Sequence, residues 1–257
     1  MSAHTPAQTP WIRRLVSTPA GRPRLVCFPH AGGSAGYFRP LAVALSPHLE
    51  TVAVQYPGRQ ERRGEAPLES VGRLADEAFA ALAPALSGPF AFFGHSLGAL
   101  VAFEVARRFE AAGETGPARL FASAVCAPSV LRRPTAHLAD DETLVAELRA
   151  LAGADRGGLS AAEVRGLPLP AVRADYRAVE HYRVEPGARI GAPVTALVGT
   201  EDPIVSRDDA AAWAGHTTAG GTLRVFDGGH FYLDHQVHRV AETVVAAFAP
   251  RAAALAP

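Results

Sequence analysis

Pro89-Phe90-Ala91-Phe92-Phe93-Gly94-His95-Ser96-Leu97-Gly98-Ala99-Leu100-Val101-Ala102-Phe103-Glu104-Val105 is the stretch that decides the fold. An aromatic, apolar run of strand character ends at a glycine, and a helical pattern begins at once after a second glycine four residues on. Between them, Gly94 to Gly98 reads G-x-S-x-G. In a chain of this length that pentapeptide arises by chance in roughly one sequence in ten, so the strand before it and the helix after it carry the argument. A serine hydroxyl is a weak nucleophile unless a sharp turn presents it where a base can reach it. Glycines two residues to either side permit such a strand-to-helix passage. The helix N-terminus beyond favours negative charge developing beside it. Ser96 is therefore a candidate nucleophile, with a plain helix cap as the alternative.

Outward from this stretch the chain keeps a regular rhythm. Short apolar runs at 24–28, 51–56, 89–93 and 120–125 alternate with helical patterns such as 71–86 and 99–111, which predicts a parallel sheet with helices on both faces. The rhythm stops at Ala127-Pro128 and resumes with the strand-like run 192–198. In between, Asp141 is placed to cap a helix in which Leu144, Leu148 and Leu151 share one face. Ser160 and Glu163 have capping-box spacing, and a third helix is expected over 171–182. Helices without a strand, set between two sheet strands, read as an insertion over 128–191: a lid, or an ordinary helical subdomain. A last strand at 222–226 and a helix at 237–248 close a single α/β domain spanning 1–257, preceded by a Pro- and Thr-rich arm, 1–22, expected to be loosely held.

Composition narrows the chemistry. Lys and Arg total 25 against 25 Asp and Glu, so the chain offers no basic field for nucleic acid or an anionic membrane. Every basic residue is Arg, which excludes Schiff-base, pyridoxal-phosphate, Walker-type and kinase-strand lysines. Cys27 and Cys126 make neither a disulfide framework nor the paired spacing of a zinc site. The N-terminal residues lack the apolar core of a signal peptide, and no run of about 18 apolar residues is present. A cytoplasmic monomer is the expectation.

A nucleophilic serine needs a base, and the base an orienting carboxylate. Where the nucleophile sits in a strand-to-helix elbow, the acid and then the histidine follow in loops after later strands. Both loops are legible. After the strand ending at Val198 comes Gly199-Thr200-Glu201-Asp202-Pro203, and after Phe226 comes Asp227-Gly228-Gly229-His230-Phe231. Asp202 is the candidate acid, with Glu201 and Asp227 as rivals. His230 is the candidate base, since His235 and His238 fall in or near a helix and His216 in a polar turn. The oxyanion of a tetrahedral intermediate needs donors. Leu97, following the nucleophile, supplies one N–H; the small-residue loop Pro29-His30-Ala31-Gly32-Gly33-Ser34-Ala35-Gly36 supplies the other, assigned to Ala31. A phosphate-cradling reading of that loop fails because it is not G-x-G-x-x-G and has no lysine. Cys126 is expected to be an inert buried thiol. The doublets Arg13-Arg14, Arg62-Arg63, Arg107-Arg108 and Arg132-Arg133 are expected on solvated surface, and Tyr37, Phe38, Tyr176 and Tyr182 are expected to line an acyl pocket or fill the core.

The segments Cys27-Phe28-Pro29-His30-Ala31-Gly32-Gly33, Gln55-Tyr56-Pro57-Gly58-Arg59, Gly94-His95-Ser96-Leu97-Gly98, Gly229-His230-Phe231 and Asp175-Tyr176-Arg177 together resemble the type II, or editing, thioesterases of polyketide synthase and nonribosomal peptide synthetase systems. The resemblance implies an α/β-hydrolase fold with a helical lid and a triad of Ser96, Asp202 and His230. It implies further that the substrate is a short or aberrant acyl group held as a thioester on the phosphopantetheine arm of an acyl or peptidyl carrier protein, with no metal or redox cofactor. A free-standing carboxylesterase or acyltransferase using the same triad is the alternative, and an accessory that binds carriers without hydrolysis a third reading.

Overall fold

Seven strands form one sheet: β1 Ile12–Arg14, β2 Arg24–Phe28, β3 Glu50–Val54, β4 Phe90–His95, β5 Leu120–Ser123, β6 Val194–Gly199 and β7 Gly221–Phe226. They are read from a computed structural model describing residues 9–132, 135–152 and 168–248. The order is β1-β3-β2-β4-β5-β6-β7, parallel throughout except that β1 runs antiparallel to β3. The helices among the described residues are α1 Arg39–Leu45, α2 Val71–Leu82, α3 Leu97–Ala111, α4 Asp141–Ala152, α5 Leu169–His181, α6 Arg207–Ala211 and α7 Val237–Phe248.

The two-residue period of the strands explains why both faces are covered. Val26, Phe28, Phe90 and Phe92 enter one core with Val71, Leu74, Leu100 and Phe103 of α2 and α3. Their strand neighbours Leu25, Cys27, Ala91 and Phe93 enter the other with Leu41, Leu45, Val240 and Val244 of α1 and α7. No described helix is long and apolar enough to cross a membrane.

Topology places the site. The chain lays β3 on one side of β2, then returns to lay β4 on the other, with Phe28 opposite Gly94. The loops leaving β2 and β4 therefore diverge where the strand order reverses, at the carboxyl ends of the strands, the place where open parallel sheets commonly carry their sites.

Three local expectations need correction. The arm is not loose over its described part, because Ile12–Arg14 pairs with β3, Trp11 is buried edge-on against Tyr56 and the Arg62 guanidinium lies 4.6 Å from the Trp11 ring. Pairing satisfies the main-chain groups of β3 along an otherwise open edge. The cap of α4 is Asp140, whose Oδ1 accepts the Thr143 N–H at 2.8 Å, rather than Asp141. Arg62 is buried, reaching the Gln55 carbonyl at 2.7 Å, so its doublet is not simply solvated surface. The expected capping box at Ser160 and Glu163, and Arg133, lie outside the described residues.

Candidate active site

Ser96 follows β4 directly and takes φ 53°, ψ −123°, a left-handed conformation that a side chain adopts only when its surroundings enforce it. Its N–H donates to the Ser123 carbonyl at 2.8 Å, and its own carbonyl accepts from Ala99 at 2.9 Å as α3 begins. The flanking glycines are required by close approach. A Cβ at Gly94 would stand 2.3 Å from the Ala99 Cα, and one at Gly98 would stand 1.9 Å from the Phe28 carbonyl oxygen. The serine is thus held at a turn too tight for any larger neighbour.

The loops after β6 and β7 are tied together: the Thr200 N–H donates to the Phe226 carbonyl at 2.8 Å and that of Glu201 to the Gly228 carbonyl at 2.9 Å. Through this pairing His230 Nδ1 meets Asp202 Oδ2 at 2.9 Å, with the two side chains only 2% and 0% exposed. The other Asp202 oxygen accepts the N–H groups of Ile204 at 3.0 Å and Val205 at 3.2 Å, which fixes the carboxylate. Of its rivals, Glu201 is exposed, and the Asp227 side chain is 79% exposed and faces Arg239 at 3.6 Å. His235 and His238 are exposed. His216 is buried, not in a polar turn: its Nδ1 lies 2.9 Å from the Ala188 carbonyl and its Nε2 2.9 Å from Ser129 Oγ.

The serine and histidine loops converge through a ring cluster, His95 and His230 buried and His30, Tyr37 and Phe231 partly so, that the sequence did not reveal. The His95 ring, next in the chain to Ser96, lies 5.5 Å from that of His230 and 5.8 Å from that of His30. Tyr37 and Phe231 close the cluster against His30 at 4.5 Å and 5.0 Å. Beneath it His95 Nδ1 lies 2.9 Å from Ser123 Oγ, which lies 2.6 Å from Tyr232 Oη. Burial first, and then repulsion from His230 and Arg59, brings His30 down from 6.5 to about 3. Burial likewise holds His95 well below the ordinary histidine range. Both are neutral near pH 7.

Ala31 lies in the loop after β2, the strand paired with β4, at the same end of the sheet. No described residue accepts the N–H of Ala31 or of Leu97, whereas Gly33 donates to the His30 carbonyl at 2.9 Å and Gly32 to Asp175 Oδ2 at 2.7 Å. Asp175 also pairs with Arg59, each fully enclosed. Burial raises the Asp175 carboxyl, opposed by the Arg59 charge and the Gly32 N–H. This contact joins segments 116 residues apart, beyond the reach of spacing rules.

The remaining candidates find ordinary places. Cys126 donates to the Ile204 carbonyl at 3.7 Å, and burial pushes its thiol up to about 11, so thiolate is scarce at neutral pH. Phe38 fills the core, and Tyr182 donates to Glu104 at 2.8 Å. No group of three or more His, Cys, Asp or Glu able to hold a metal occurs among the described residues.

A mostly parallel sheet flanked by helices, with a strained serine at a strand-to-helix elbow and a buried histidine–carboxylate pair at the same edge, is the architecture of an α/β-hydrolase. Residues 23–248 match the model of the thioesterase domain family, and the chain belongs to that family of thioester hydrolases. It is 46% identical over 235 residues to thioesterase PikA5 of Streptomyces venezuelae, covering 91% of this chain and 84% of that protein. The type II thioesterase BorB from the borrelidin biosynthetic cluster superposes with a TM-score of 0.87 at 46% identity, covering 92% of this chain and 97% of that one. RedJ, a thioesterase of the prodiginine pathway in Streptomyces coelicolor, gives 0.82 at 35% identity, with 90% of each chain covered.

Proposed function

We propose that the chain hydrolyses acyl thioesters carried on the phosphopantetheine arm of acyl or peptidyl carrier proteins, releasing short or aberrant acyl groups in polyketide or nonribosomal peptide biosynthesis. The observation that supports this most directly is the buried His230–Asp202 bond at 2.9 Å, brought to the sheet edge where Ser96 is held in a strained turn. The likeness to biosynthetic thioesterases supplies the substrate class.

In the mechanism, Asp202 fixes the tautomer in which His230 Nδ1 carries the proton, leaving Nε2 as the base. His230 takes the Ser96 proton as the oxygen attacks the thioester carbonyl, and the N–H groups of Ala31 and Leu97 hold the oxyanion. The thiol leaves readily because its pKa is about 8.5, so little is asked of His230 as an acid. Water activated by His230 then attacks the acyl-enzyme, and the free acid departs. The insertion 128–191 acts as a lid that shelters the acyl-enzyme and shapes the acyl pocket.

One comparison tests the reading: the same acyl group presented on a carrier protein, on a short pantetheine mimic and as an oxygen ester. The expected order of kcat/KM is carrier, then mimic, with the oxygen ester far behind. Fast oxygen-ester turnover without carrier preference would instead favour an esterase.

A further inference from the structure

Asp175 lies on α5, 143 residues beyond Gly32, yet its Oδ2 accepts the Gly32 N–H at 2.7 Å and the Arg59 guanidinium together. Its Oδ1 has no hydrogen-bond partner among the described residues. The carboxylate is 0% exposed and the Arg59 side chain 1%. One turn earlier on α5, Val172 presses on the same loop: a Cβ at Gly32 would meet its Cγ2 at 2.7 Å. The helix therefore grips Gly32 twice, by packing and by a charge-assisted hydrogen bond.

Gly32 is covalently next to Ala31. The carboxylate fixes the orientation of the peptide plane joining them, and the Gly33 bond to the His30 carbonyl fixes the other side of the turn. Between these ties the Ala31 N–H points free of any described acceptor. We infer that Asp175 is a positioning residue: held by Arg59, it locks Gly32 and thereby aims the Ala31 N–H at the oxyanion. The inference rests on the oxyanion role proposed for Ala31. It has a mechanical corollary, since an α5 shifted away from the loop takes the acceptor with it. The seat of the insertion and the competence of the oxyanion site are therefore coupled.

A merely structural ion pair would hold α5 down without affecting the transition state, and three measurements separate the roles. These are kcat and KM on an acyl N-acetylcysteamine thioester, the affinity for an acyl trifluoromethyl ketone that forms a tetrahedral adduct, and the melting temperature. Arg59→Met/Asp175→Leu replaces the pair by apolar groups, which buried pairs often tolerate in stability. The expected result is a folded protein whose kcat falls roughly 10- to 100-fold with KM little changed, and whose ketone affinity falls in proportion. Asp175→Asn, with its carbonyl oxygen in the place of Oδ2, keeps the acceptor and is expected to retain most of kcat. A folded double variant with wild-type kcat and ketone affinity overturns the proposal. So does an Asn variant as slow as the double variant. Failure of the underlying reading is distinct, because an oxyanion role for Ala31 that does not exist leaves a folded Ala31→Pro variant, which lacks that N–H, with wild-type kcat and ketone affinity, and a wrong nucleophile leaves hydrolysis in Ser96→Ala.

Discussion

Ser96 occupies a conformation whose strain, of order 1–3 kcal/mol, persists because Gly94 and Gly98 let α3 and β2 close around it. Replacing Ser96 by Ala is expected to abolish covalent labelling by an acyl fluorophosphonate, read as the loss of the mass shift, while the melting temperature stays or rises. Asp202→Asn keeps the shape of the pair but favours the wrong tautomer of His230, and kcat is expected to fall by about 10⁴ in single-turnover assays. His30 and His95 carry a further consequence. Each is neutral when buried and takes a proton when the chain unfolds, so the unfolded state binds more protons below the ordinary histidine pKa of 6.5. Their contribution to stability is complete above pH 6.5 and is lost as pH falls toward about 3 for His30. Together they should remove about 2 kcal/mol between pH 6.5 and pH 5.5, measured by urea denaturation at each pH. His30→Phe should flatten that slope.

At the scale of elements, β4 and α3 meet at a contact with no slack. Gly98→Ala drives a methyl into the Phe28 carbonyl and is expected to destabilise by about 3 kcal/mol or more, whereas Gly64→Ala, with open space around it, should stay within about 0.5 kcal/mol. Urea midpoints decide both. The elements legible from sequence were those with strong periodicity: β2 and α7 stand at the expected residues, and the other long strands lie within two residues of them. β1 was not legible because Ile-Arg-Arg has no alternation to read and pairs only because β3 needs a neighbour. α1 was hidden by Pro40 and the small-residue loop before it, although Pro is favoured in a first helical turn. α6 had a readable signal, the capping box of Ser206 and Asp209. At the site, residues that follow strands were foreseen from local spacing. The grip of Asp175 on Gly32 and Arg59, and the histidine cluster, were not, because they depend on which distant loops the sheet order brings together.

For the molecule as a whole, each member of the proposed triad hangs from the carboxyl end of a different parallel strand, so the sheet is the frame and the loops carry the chemistry. Within the insertion between β5 and β6, α5 is tied to the loop after β2, whereas α4 has a single fully buried apolar residue, Leu144, and is the part freest to change. Replacing α4 by a short Gly-Ser linker, with α5 left in place, should alter the profile of acyl chain lengths hydrolysed; an unchanged profile in a folded variant would reduce the insertion to a structural role. The outermost strand bears on the protein's behaviour as a solute. Ile12–Arg14 shields a flank of the sheet whose amides and carbonyls would otherwise be open to a neighbouring molecule. A chain shortened to start at Val16 should retain its hydrolytic centre yet stack side by side with its own kind, visible as rising light scatter at concentrations where the longer chain stays clear.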